Sequence, residues 1–164
     1  MGRKAKANGE AIRAGHLCYR LLLTDCASED HPPPVSNALE VALNDARKDK
    51  AAGRAEKAQE AYSRAAGLAR SQGEPAALAH TLRHLSDLAR ERGAAAEARD
   101  LAVEAVMLYR EIGDGLGLAN ALRLRALSAA DDEEARKCWQ EACGLYSSLN
   151  VQAGVAECER RLGT

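Results

Sequence analysis

Apolar residues along this chain return at intervals of three and four. Leu78, Leu82, Leu85 and Leu88 follow that rule, as do Leu101, Ala105 and Leu108. This is the spacing of one face of an α-helix. The periodic segments are punctuated by Gly53, Gly73, Gly93 and Gly113, each twenty residues after the last. Glycine enters the left-handed conformation cheaply and so commonly closes a helix. Turn chemistry follows two of them, in Gly73-Glu74-Pro75 and Gly113-Asp114-Gly115. Each block therefore predicts a helix of about 16 residues, about 24 Å long at 1.5 Å per residue. Helices joined by turns this tight are expected to be antiparallel neighbours.

The blocks alternate in character, so the true period is two helices. SRAAGLARSQGE (63–74), EAVMLYREIGD (104–114) and EACGLYSSLNV (141–151) align, and LAHTLRHLSDLA (78–89) aligns with LANALRLRALSA (118–129). The step is forty residues from Gly73 to Gly113 and thirty-seven from Gly113 to Asn150. The shorter step falls where Asp131-Asp132 replaces the turn that ends at Gly93. A helical-hairpin period of this length points to a solenoid.

These residues resemble the tetratricopeptide repeat family in its longer form. The family places large and small residues at set spacings. The middle repeat reads Leu82, Ser86, Ala89, then Ala98, Ala102, Ala105. The third reads Leu122, Ala126, Ala129, then Ala135, Trp139, Ala142, and the first reads Ala42, Ala46, Asp49, then Ala58, Tyr62, Ala65. LYREIGD (108–114) is similar to the end of the family's second helix. Asp49 departs from the pattern, and the family's usual glycine is replaced by Ala46, Ser86 and Ala126.

The resemblance implies an all-α, right-handed superhelix of three hairpins, 35–72, 75–112 and 115–149, with a C-terminal cap helix at 151–162. Residues 9–27 carry Ile12, Leu17, Tyr19, Leu22 and Leu23 and are expected to form a further amphipathic helix that caps the N-terminal end. Segment 9–34 thus comprises that helix and a connector broken by Pro32-Pro33-Pro34, after a flexible stretch at 1–8.

Composition fits this picture. Alanine is about a fifth of the chain, aromatics are 3% and Phe is absent. Small side chains suit closely packed helices and suit a β-sandwich poorly. The balance of 23 Lys and Arg against 24 Asp and Glu gives a net charge of −1. That argues against a nucleic-acid binder, whose affinity rests on excess cation. No apolar run approaches the roughly 18 residues that cross a bilayer, so no membrane partner is expected. The five cysteines form no C-x-x-C pair and read as small hydrophobes in a reducing cytoplasm.

Chemistry needs a convergent nucleophile, base or metal, and the sequence offers none; no enzyme activity and no cofactor are expected. His80 and His84 stand four apart, a spacing able to hold a metal, but no third ligand is evident and they read as groove histidines. Asp131-Asp132-Glu133-Glu134 reads as a helix N-terminus, where carboxylates complement the dipole. Gly113-Asp114-Gly115-Leu116-Gly117 has neither the strand nor the Lys of a phosphate loop.

The resemblance instead implies a binding groove lined by the first helix of each hairpin. Matching positions are Leu43, Arg47 and Lys50 in the first repeat, His80, Arg83, Asp87 and Arg90 in the second, and Asn120, Arg123 and Leu127 in the third, with Arg160 from the cap helix. Arg83, Arg123 and Arg160 are equivalent and form a guanidinium row suited to carboxylates. The expected function is an adaptor that holds an acidic peptide segment or terminal carboxylate of a partner protein. Two other readings stay open: a structural protein that self-associates into a homo-oligomer through its terminal helices, and a small-molecule or metal sensor.

Overall fold

Seven helices follow one another in a computed structural model that describes residues 35–163: α1 Val35–Ala51, α2 Ala55–Gln72, α3 Pro75–Glu91, α4 Ala95–Ile112, α5 Gly115–Leu127, α6 Asp132–Ser148 and α7 Gln152–Leu162. There is no strand among the described residues. They belong to one compact unit, and the expected segments at 1–8 and 9–34 lie outside them.

The turns explain why the chain folds back so sharply. Gly53, Gly73, Gly93 and Gly113 all have positive φ, between 68° and 84°, and Asn150 joins them at 58°. Asn is the side chain that best tolerates this region. The residue after each left-handed one donates its N–H to a carbonyl five back: Arg54 to Asp49, Glu74 to Ala69, Ala94 to Ala89, Asp114 to Tyr109 and Val151 to Tyr146. That same residue's carbonyl then accepts the first bond of the next helix, as in Ala58 to Arg54 and Leu78 to Glu74. One residue thus closes one helix and opens the next, which leaves no slack between them.

The α5–α6 connection is the exception. Helix α5 stops at Leu127 and the Ser128 hydroxyl bonds back to the Leu124 carbonyl. Asp131 then caps α6 by accepting from the Glu134 N–H at 2.8 Å. Ala129, aligned by sequence with the helical Ala89, therefore lies in the turn; the three missing residues come out of the end of α5.

Each helix packs on the next in chain order, and α3 also packs on α5. This order is consistent with a helical repeat. Alanine makes the close approach possible: Ala46, Ala65, Ala89, Ala102, Ala119 and Ala142 are wholly excluded from solvent. Tyr62, Leu82, Val106, Leu122 and Trp139 fill the gaps between them. Size is matched pairwise at the turns. A Cβ on Gly117 would overlap the Tyr109 ring, and one on Gly154 would overlap that of Tyr146. At the equivalent α2–α3 junction the pair is Ala69 and Ala77, so ring and glycine come and go together.

Candidate functional site

The odd-numbered helices carry a band of charged side chains and the histidines of α3, met by tyrosines from the even-numbered helices. Its two ends are built differently.

At the α1–α3 end, Lys50 Nζ donates to Asp87 Oδ2 at 2.8 Å and Arg90 donates to Asp87 Oδ1 at 2.9 Å. Burial works to raise the Asp87 carboxyl, but the hydrogen bonds from Lys50 and Arg90 outweigh it and hold the group below its ordinary value. His84 sits between cations. Arg83 donates to its Nε2 at 3.0 Å, and Lys50 Nζ lies 3.5 Å from its Nδ1. A neutral imidazole accepts at one nitrogen only, so the shorter Arg83 contact assigns acceptance to Nε2. The ring stacks on Tyr62 at 4.9 Å and meets the edge of His80 at 4.6 Å.

Neither histidine welcomes a proton. Burial, then Arg83, pushes His84 down to about 3. Burial, then Arg83 and Arg47, pushes His80 down to about 4. His80 Nε2 is buried and has no hydrogen-bond partner among the described residues. Burial and the neighbouring cations thus keep both imidazoles neutral. Among the described residues no group of three His, Cys, Asp or Glu stands together to hold a metal ion.

At the α5–α7 end the charges are matched. Arg123 Nε donates to Glu157 Oε2 at 2.7 Å. That hydrogen bond raises the guanidinium's affinity for its proton and holds the Glu157 carboxyl below its usual range. The Tyr146 hydroxyl donates to Asn120 Oδ1 at 2.9 Å.

Arg83 occupies in α3 the place of Arg123 in α5, yet among the described residues it pairs with no carboxylate. It engages a neutral group, His84 Nε2, and its charge acts on the nearby Tyr109 hydroxyl. The reason is visible in the repeat register. The position that presents Glu157 to Arg123 is filled, one repeat earlier, by Asn120. Among the described residues Arg47 likewise bonds only to the neutral Asn44, at 3.3 Å.

Not all of the sequence-derived groove residues join this band. His80, Arg83, Asp87, Arg90, Arg47 and Lys50 gather at one end, and Asn120 and Arg123 at the other. Arg160 lies on the exposed side of α7 and donates to its own Ala156 carbonyl at 3.2 Å. Leu43 and Leu127 are partly buried against the core. Leu127 also helps line a cleft of about 350 Å³ with Trp139 and Leu162, beside Arg161. A second cleft, of about 480 Å³, lies between Arg125, Glu134 and Glu141.

Sequence reasoning missed the aromatic members, Tyr62, Tyr109 and Tyr146. The signal was available for two of them, because Tyr109 and Tyr146 are thirty-seven residues apart, one short repeat. On the even-numbered helices a separate ladder runs from Arg70 to Glu104 and from Arg110 to Glu141, each at 2.6 Å.

No helix among the described residues is long and apolar enough to cross a membrane. No family model and no curated protein matches this chain.

Proposed function

We propose that this chain is a protein-binding module of tetratricopeptide type, a right-handed superhelix whose concave face takes an acidic segment of a partner protein. The observation that carries the reading is the contrast between Arg123, which grips the carboxylate of Glu157, and Arg83 and Arg47, which have none among the described residues. The same scaffold position that holds a carboxylate within the chain is open to one from outside. Arg83 is half-buried, its guanidinium is held by His84 beside Tyr109, and a pre-positioned Arg loses little freedom on gripping a carboxylate. His80 and His84 stay neutral at physiological pH, so they add polar contacts without competing charge. Asp87 is the nearest opposing carboxylate and is already committed to Lys50 and Arg90.

The test uses a fluorescent oligoglutamate peptide and a matched oligoglutamine peptide, followed by anisotropy at low and high salt. The glutamate peptide is expected to bind and to weaken as salt screens the contact; the glutamine peptide is expected not to bind. Arg83→Glu combined with Arg47→Glu is expected to abolish binding with far-ultraviolet circular dichroism unchanged. Undiminished binding by that folded double variant would overturn the proposal.

A further inference from the structure

Helix α7 is the least anchored element of the described chain. It has 11 residues, and Cys158 is its one fully buried side chain. Helices α6 and α7 run antiparallel around the turn at Asn150, and Gly154 seated under the Tyr146 ring sets their register. One helical turn farther from the bend, three residues back on α6 and four forward on α7, the facing residues are Cys143 and Cys158. Cys158 lies in the core cluster against which Cys143 packs, and after burial the neighbouring Cys143 thiol is the next cause that raises the Cys158 thiol. Cys158 is completely shielded from solvent, whereas Cys143 is partly exposed. The preceding repeat carries Val106 and Ala121 at the same two positions, both buried. Packing at this place therefore does not require sulfur, yet two thiols meet there.

We propose that Cys143 and Cys158 are a reversible redox pair, whose disulfide staples α7 to α6. With a hydroperoxide as the oxidant, the more accessible Cys143 thiolate attacks the peroxide oxygen. The O–O bond breaks, Cys143 becomes a sulfenic acid, and with hydrogen peroxide the leaving hydroxide takes up a proton to become water. The Cys158 sulfur then displaces hydroxide from the Cys143 sulfur. The S–O bond breaks, the S–S bond forms, and the proton lost by Cys158 completes a second water. Two thiols and one hydrogen peroxide thus give one disulfide and two waters. Burial pushes the Cys158 thiol up to about 11, so the second step is the slower one and quickens with rising pH. Thiol reductants return the pair to the starting state. The staple keeps Glu157, the neighbour of Cys158, on Arg123. The bond itself does not depend on the binding role proposed above.

The experiment treats the full reduced chain with hydrogen peroxide under native conditions and quenches it with a thiol-blocking reagent. Glutamyl endopeptidase, which cuts after Glu141 and Glu157, then separates the two cysteines, and the digest is mapped without reduction. The expected product joins the Cys143 and Cys158 fragments, is lighter by two hydrogens than their sum, and disappears with dithiothreitol. Amide exchange across α7 is expected to slow in the oxidised chain. Cys158→Ala, which copies Ala121 and so should fold, is expected to lose the cross-link and to carry Cys143 on to sulfinic acid. A native chain in which Cys143 is over-oxidised while Cys158 stays a free thiol would overturn the proposal. So would one in which Cys143 joins Cys138, Cys18 or Cys26 instead.

Discussion

Arg83 and Arg123 hold the same place in successive repeats and live in opposite electrostatic worlds. Arg123 has its carboxylate in Glu157, and beside it Tyr146 bonds Asn120. Around Arg83 the cations Arg47, Lys50 and Arg90 crowd a pair of neutral histidines, with Asp87 as the shared carboxylate. The difference comes from one residue in the next odd-numbered helix, Glu157 against Asn120. Equal positions in a repeat do not have equal chemistry, because each side chain is completed by its neighbour's sequence.

The largest expected effect on this contrast is acid lability at the α1–α3 end. The ordinary histidine value is 6.5, and folding lowers His80 to about 4 and His84 to about 3. The unfolded chain therefore takes up protons first as pH falls. Stability should be full above pH 6.5 and decline through the interval down to about 4, where the folded histidines begin to charge. Asp87, held low, adds a further loss once its carboxyl protonates. Thermal melts across this range are expected to fall for the native chain and to flatten in His80→Gln/His84→Gln. A native chain with a constant melting temperature would show these rings to be well solvated.

Next in size is Asp87→Ala. It leaves Lys50 and Arg90 facing each other at a site where the carboxylate is only 22% exposed. The expected cost is about 1–2 kcal/mol in urea unfolding. Removal of Glu157 from the matched end should cost less, about 0.5–1 kcal/mol, and a larger loss there than at Asp87 would reverse the ranking of the two ends.

Two substitutions should exchange the characters of the ends. Glu157→Gln releases Arg123 and is expected to raise oligoglutamate affinity a few-fold, at the small stability cost just given. Asn120→Glu places a carboxylate before Arg83 and is expected to lower that affinity by a similar factor. Parallel changes from both variants would break the register argument.

The smallest effect is expected on the other face. Arg70 and Glu104 are about half exposed, so Arg70→Ala should change stability by about 0.5 kcal/mol or less. Oligoglutamate binding should not respond. A clear loss of binding would place the contact surface on the even-numbered helices.

Much of this architecture could be read from the chain. The positive-φ glycines are the ones spaced twenty apart, and Asn150 stands where the alignment put it. Leu82, Leu122, Tyr62 and Trp139, aligned as large repeat residues, are buried. The site was less readable. His80, Arg83, Asp87 and Lys50 come together, but Leu127 packs on the core, Arg160 bonds back to its own helix, and nothing in the local pattern brings Tyr109 and Tyr146 to this band. The shortened turn was seen as a missing three residues, yet not that it would remove Ala129 from α5.

Amino-acid order alone determined the helices, their left-handed turns and their small-residue faces. Those follow from contacts three to five residues apart, which periodicity and turn chemistry express directly. Tertiary structure decided which charges are satisfied. Lys50 meets Asp87 across 37 residues and Arg123 meets Glu157 across 34. Which side chains meet at such separations depends on how helices slide against one another, here set by ring-on-glycine contacts such as Tyr146 on Gly154. No local pattern encodes that offset, because it is the outcome of packing two whole faces at once.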